Sequence, residues 1–257
     1  MEPQPDPPTP PDAPAPERPP KRPWTILGRL TKAVREQNWF AVALELVIVV
    51  VGVVIGFQVT AWGQTQQERR LEIESLRELQ TALRNDLPDI RANLSSHERA
   101  TSSAALLREH LRARRPYADT LDAHFANVLI FTFSVRDEAA YETLKLRGME
   151  TVTNDSLRAA IGHVYGVEYP NAVWSQMWVS DFFREQQVPL YLSFFRDIRF
   201  FENATPTEYE ALMASPEFAA MLDFLIPNHA ITAARLRDLE ADVTAVIAHL
   251  EEELADR

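Results

Sequence analysis

Between Trp39 and Trp62 the chain is apolar almost without a break, Glu45 being the one charge in the run. As a helix this stretch is roughly 36 Å long, more than the ~30 Å of a hydrocarbon core, and it places an indole at each interface. Leu46 to Phe57 shows no polar face of the kind that a helix in a soluble core turns to solvent. The pattern predicts one transmembrane helix over residues 39–63. Val59-Thr-Ala61 has the small-residue look of a signal cleavage site, but nearly forty residues precede the run and its length favours anchoring.

Beyond Trp62 the pattern changes to a helical stripe. Leu76, Leu79, Leu83, Leu87, Ile90 and Leu94 recur in steps of three and four, continuing weakly through Ala104, Leu107 and Leu111 to Pro116. Pro88 lies inside the stripe and predicts a kink, or a fresh start capped by Asn85 or Asp86. After a break expected at Pro227-Asn228, a second seam follows through Leu236, Leu239, Val243, Val246, Ile247, Leu250 and Leu254. Two such seams at opposite ends of one domain are expected to pair antiparallel, returning the C-terminus toward the membrane. Helices are predicted between them at about 119–131, 137–147, 155–167, 171–187, 190–201 and 207–215, with Gly148 ending one, Asn154 or Asp155 capping the next, and prolines 170, 189, 206 and 216 as punctuation. No stretch of four or more residues alternates as a strand. The fold class predicted is all-α: a single transmembrane helix followed by a long helical stalk and an exported helical bundle over residues 64–257.

The N-terminus reads differently. Eleven of the eighteen prolines fall in the first 23 residues, which predicts a disordered, partly polyproline II arm over residues 1–23. Trp24, Leu27, Leu30 and Val34 then recur at helical spacing among Arg29, Lys32 and Arg35, predicting an amphipathic helix over residues 24–38 on the inner leaflet.

Charge sets the expected orientation. Arg18, Lys21, Arg22, Arg29, Lys32 and Arg35 precede the span with no acid between Arg18 and Arg35, whereas residues 64–81 hold three arginines among four glutamates. The excess of Arg and Lys marks the N-terminal side as cytoplasmic. All of the net charge of -11 falls after Gly63, which argues against nucleic acid as a partner. Cysteine is absent, as suits an exported domain, and only Lys21, Lys32 and Lys145 are lysines, a skew read as a GC-rich bacterial genome. "Outside" is then the periplasm, and the expected home is the bacterial inner membrane.

Two stretches are individual enough to carry a resemblance. Glu45-Leu-Val-Ile-Val-Val-Val-Gly52-Val-Val-Ile-Gly56-Phe-Gln58-Val-Thr-Ala-Trp62, and Ala140-Tyr141-Glu-Thr-Leu144-Lys-Leu-Arg-Gly148 with Asn154-Asp155-Ser-Leu157, resemble a family of bacterial single-pass membrane proteins catalogued only as a domain of unknown function, the one numbered six thousand and ninety. The resemblance runs from about Glu45 to Tyr165 and implies architecture rather than activity, with Tyr141, Gly148 and Asn154 as its structural marks. Members usually show Asn-Asn-Trp-Asn-Glu where this chain has Thr60-Ala61-Trp62-Gly63-Gln64.

Chemistry-bearing motifs are sparse. None of the six histidines has a carboxylate three residues before it, and there is no His-Glu-x-x-His, Gly-x-Ser-x-Gly or P-loop, so neither an enzyme nor a cofactor or metal is expected. Two surfaces are expected instead. Glu45, Gly52, Gly56 and Gly63 share one face of the span, where small-x-x-x-small spacing lets a second copy or another membrane subunit approach closely. Trp174, Trp178 and Phe182 on one helical face, and Tyr191, Phe194 and Phe201 on the next, form a candidate recognition surface alongside the competing reading of core packing. The expected function is a membrane-anchored binding or scaffold module of the envelope; the alternative is a periplasmic ligand sensor signalling through a separate cytoplasmic partner.

Overall fold

The computed structural model describes residues 39–128, 130, 132, 133 and 136–256, and the side chains within them except those of Phe40, Ala41, Val179, Phe182, Phe183 and Gln186. The proline arm and the interfacial helix of the sequence reading lie outside the described residues. The chain divides into two compact units, residues 1–63 and residues 64–257.

Most described residues are helical. Helix α1 spans Trp39–Arg112 and passes Pro88 without ending, so neither a break nor a cap by Asn85 or Asp86 occurs there. Among the described residues it is the one helix long and apolar enough to cross a membrane, and none of its most apolar window is buried. Short helices follow: α2 (Leu121–Asn127), α3 (Ala139–Arg147) and α4 (Asp155–His163). A π-turn, Val164–Glu168, leads directly into α5 (Tyr169–Phe182), and a second, Phe183–Gln187, into α6 (Val188–Phe194). Pro170 and Pro189 therefore do not separate helices. Each stands just after a widened turn, which moves aside the carbonyl that its ring would otherwise strike.

The last long helix, α8 (Pro216–Ala255), follows α7 (Tyr209–Ala214) and is capped by the Ser215 hydroxyl, which accepts from the Phe218 amide. It too runs through a proline: Pro227 lacks the donor for its turn, and the Asn228 side-chain amide donates to the Phe224 carbonyl at 2.7 Å. The break expected at Pro227-Asn228 is absent.

The helix expected over residues 190–201 is corrected as well. Strand β1, Phe195–Arg199, pairs antiparallel with β2, Asn203–Pro206, through Phe195 with Pro206, Arg196 with Thr205 and Arg199 with Asn203. Asp197 and Phe201 adopt left-handed backbone (φ 51° and 66°), which an α-helix cannot contain. Phe195 pulls the segment into the core, stacking on Tyr191 at 4.2 Å and packing on Phe125 at 4.9 Å.

Within residues 64–257, α1 and α8 run antiparallel. Ion pairs join Arg84 to Glu251, Arg91 to Glu240, Glu98 to Arg237 and Arg108 to Asp223, so one number falls as the other rises. Such exposed pairs contribute little stability, but they record the register. Two apolar cores lie along the helix pair. One gathers Leu76 to Leu94 with Leu144, Leu157, Ile161 and Leu236 to Leu250; the other gathers Ala104 to Leu111 with Phe125, Tyr191, Phe195 and Phe218 to Leu225.

Candidate functional site

Between the two cores lies a buried polar layer, built where the seams of α1 and α8 carry histidine instead of leucine. His97 follows Leu94 by three residues and His229 precedes Ala233 by four, so helical spacing aims both inward. Their Nδ1 atoms meet at 2.9 Å, His97 Nε2 lies 2.8 Å from the Thr132 hydroxyl, and the Gln176 side-chain amide donates to that same hydroxyl. Burial pushes His97 down to about 4. His229 is lowered further, by burial first and by its neighbour His97 second, with the Val128 backbone opposing both. His229 Nε2 is buried without completing a hydrogen bond. Two imidazoles so close share one N–H between facing nitrogens, and they cannot both carry a proton there.

Midway along the first core, Asp86 is 5% exposed and stands between Leu83 and Ile90. The Tyr169 hydroxyl donates to it at 2.6 Å and the Asp137 amide donates to both of its oxygens. Burial raises its pKa against these donors. Arg136, paired with Glu138, sits 5.7 Å over the Tyr169 ring. Tyr165 and Tyr141 complete a ladder: Tyr141 stacks on Tyr165 at 4.1 Å and 6°, and Tyr165 meets Tyr169 at 5.3 Å. Burial first, and the nearby Asp86 charge second or third, push Tyr165 and Tyr169 well up, so both stay protonated; Tyr165 has no acceptor for its hydroxyl. Tyr169 serves as a donor to Asp86, and Tyr141 and Tyr165 as packing surfaces.

A third cluster explains the marks of the family resemblance. Gly148 ends α3 with φ 100°, where an added Cβ would fall 2.4 Å from the Glu150 carboxylate. The turn after it is tied to both long helices. Buried Glu72 of α1 accepts from the Thr153 amide and hydroxyl at 2.7 and 2.8 Å, and Arg147 donates to Ser75 at 2.7 Å. Asn154 caps α4 by accepting from the Ser156 and Leu157 amides, while its own amide donates to Glu253 of α8 at 2.7 Å. A solvent-open cleft of about 1030 Å³ borders this turn, with Arg69, Arg70, Arg147 and Glu150 among its walls.

The expected surfaces fare unequally. Glu45, Gly52, Gly56 and Gly63 lie on one helical face and are exposed, and a Cβ added at any of these three glycines would meet nothing within 4 Å. Trp174 and Trp178 are exposed, 67% and 53%, and stack on each other with Met177 exposed beside them in sequence. The Phe182 side chain lies outside the described residues. Tyr191 does not belong to a surface: it is buried in the second core, and its hydroxyl donates to the Phe125 carbonyl. Phe194 is half-buried against that core, and Phe201 is exposed at the strand turn rather than on a helix. Of the five whose side chains are described, Trp174, Trp178 and Phe201 are exposed, whereas Tyr191 and Phe194 belong with the second core.

Sequence reasoning passed over Glu72, Asp86, His97 and His229 as site residues. The signal was their place on the apolar seams, where a polar side chain must find a partner or be excluded.

The described residues are mostly helical with one two-stranded ribbon, and α1 carries an exposed segment long and apolar enough to cross a membrane. The chain belongs to a family described as "Family of unknown function (DUF6090)", whose family model matches residues 45–181. The matched part holds the helical face of Glu45, Gly52, Gly56 and Gly63, Asp86, the tyrosine ladder and the Gly148–Asn154 turn. No curated protein and no solved structure matches the chain.

Proposed function

We propose that this protein is a membrane-anchored binding module of the bacterial envelope, held in the inner membrane by residues 39–63 and presenting residues 64–257 in the periplasm. The observation that carries the reading is the apolar segment of α1, which is long and apolar enough to cross a membrane and has none of its most apolar window buried. The six bases before the span and the acidic balance after it support the orientation. Within the bilayer, the open face of Gly52, Gly56 and Gly63 accepts a second copy or another membrane subunit, with Glu45 sheltered in the same contact. Outside it, the stacked Trp174 and Trp178 are the anchors of a protein contact, being large, apolar and exposed together.

Co-purification tests this. The full chain extracted in mild detergent is expected to retain a partner at fixed stoichiometry, and Trp174→Ala with Trp178→Ala to lose a periplasmic one while keeping the far-UV circular dichroism of the parent. Recovery of the parent chain as a bare monomer, under extraction that preserves other membrane complexes, would refute the binding role.

A further inference from the structure

The π-turn after α4 does more than accommodate Pro170. In an α-helix, residues five apart stand about 140° apart around the axis, on nearly opposite faces. Here the Tyr169 amide bonds back to the Val164 carbonyl, five residues away, and the extra residue in that turn brings His163 and Glu168 to the same side. His163 Nε2 lies 3.2 Å from Glu168 Oε1 and 3.6 Å from Asp242 Oδ2 of α8. One ligand atom from each residue falls within 4.8 Å of the others.

We propose that His163, Glu168 and Asp242 form a binding site for a divalent transition-metal ion of the zinc class. The spacing is the first argument. Ligands 2.0 to 2.1 Å from a tetrahedral ion are separated by about 3.3 to 3.4 Å, and both histidine-to-carboxylate distances fall around that edge. The second argument is Glu168. It is 9% exposed, and while Oε1 faces His163, its other oxygen is buried without any hydrogen-bond donor. A buried carboxylate short of donors is costly, and an ion with two positive charges supplies what the protein does not. Charge is the third. Two carboxylates and a neutral imidazole around a divalent ion sum to zero, whereas without the ion two negative groups crowd one half-buried corner. The imidazole selects against magnesium and calcium, which take oxygen ligands. His163 and Asp242 keep about half of their side-chain surface exposed, 52% and 43%, so solvent can reach a fourth position. Bound metal would pin the π-turn to α8.

The test is calorimetric titration of the full chain, in detergent, carrying a tag without histidine and stripped with chelator. Zinc chloride is expected to bind at one ion per chain and to raise the melting temperature, and magnesium chloride to do neither. His163→Gln and Asp242→Asn, at positions exposed enough to leave the fold intact, are each expected to weaken zinc binding by at least ~10-fold without changing the melting temperature measured in chelator. Glu168→Gln should weaken it as much. Absence of zinc binding by the parent chain would reduce the cluster to an ion-pair triad and overturn the proposal. So would unaltered binding by the His163 and Asp242 variants, or equal uptake of magnesium.

Discussion

Acidification should loosen the unit formed by residues 64–257 through the histidine pair, by an amount that can be worked out. In the unfolded chain a histidine titrates near 6.5, whereas burial holds His97 down at about 4 and His229 lower still. Above pH 6.5 both states are neutral at these sites and pH has no leverage. Below it the unfolded chain takes up protons that the folded one refuses, so stability falls with pH and levels off only near the folded values. For His97 the loss between pH 7 and pH 5 is roughly 2 kcal/mol, and the pair together is worth up to about 4 kcal/mol, a large part of a typical domain's stability. Urea denaturation of the full chain in a mild detergent, followed by the ellipticity of the water-exposed helices, measures this at a series of pH values. The wild type is compared with His97→Gln, which removes one titrating ring and leaves a side chain able to bond Thr132. The wild type is expected to lose more stability than the variant over that interval, by roughly 2 kcal/mol. Equal slopes for the two proteins would refute the reasoning, as would a wild type that gains stability on acidification.

Gly52→Leu and Gly56→Leu are expected to weaken self-association or partner retention in a membrane two-hybrid assay, and Glu45→Gln to act more mildly. Gly148→Ala should cost roughly 1 to 3 kcal/mol in a denaturation series, the strain of φ 100° outweighing the contact with the flexible Glu150 side chain. Tyr169→Phe removes one of the donors that hold buried Asp86 and should cost roughly 1 to 3 kcal/mol at neutral pH. Because ionising Asp86 is then less favourable in the folded state, that deficit should shrink as the pH is lowered and the carboxyl protonates.

Helical content was legible because leucines three and four apart leave few alternatives; the two seams are buried except for the half-buried Leu87 and Leu254, while the buried face of α8 also extends back through Phe218, Leu222 and Leu225, ahead of the expected seam. Prolines were the misleading signal. Pro170, Pro189 and Pro227 read as interruptions and Pro88 as a kink or a fresh start, yet no helix ends at any of the four, and π-turns precede Pro170 and Pro189. Those turns depend on hydrogen bonds that spacing does not reveal. The ribbon of β1 and β2 escaped for another reason. Tyr191, Phe194, Ile198 and Phe201 have helical spacing, but the helix stops at Phe194, the contacts of Phe195 draw the next residues into extended backbone, and Thr205 ties the return strand to Asp122 at 2.6 Å. Tertiary packing overrides a short local pattern. The polar layer was half legible: His97 follows the first seam at helical spacing, but His229 stood ahead of the expected second seam, and only the unbroken, antiparallel α8 puts it opposite His97.

Fusion reporters read directly whether residues 64–257 lie in the periplasm, as proposed. A reporter enzyme active only in the periplasm, fused after Arg257 of the full chain, is expected to be active, and a reporter active only in the cytoplasm to be dark at the same position. A dark periplasmic reporter with a bright cytoplasmic one would place the bundle inside the cell and contradict the central claim.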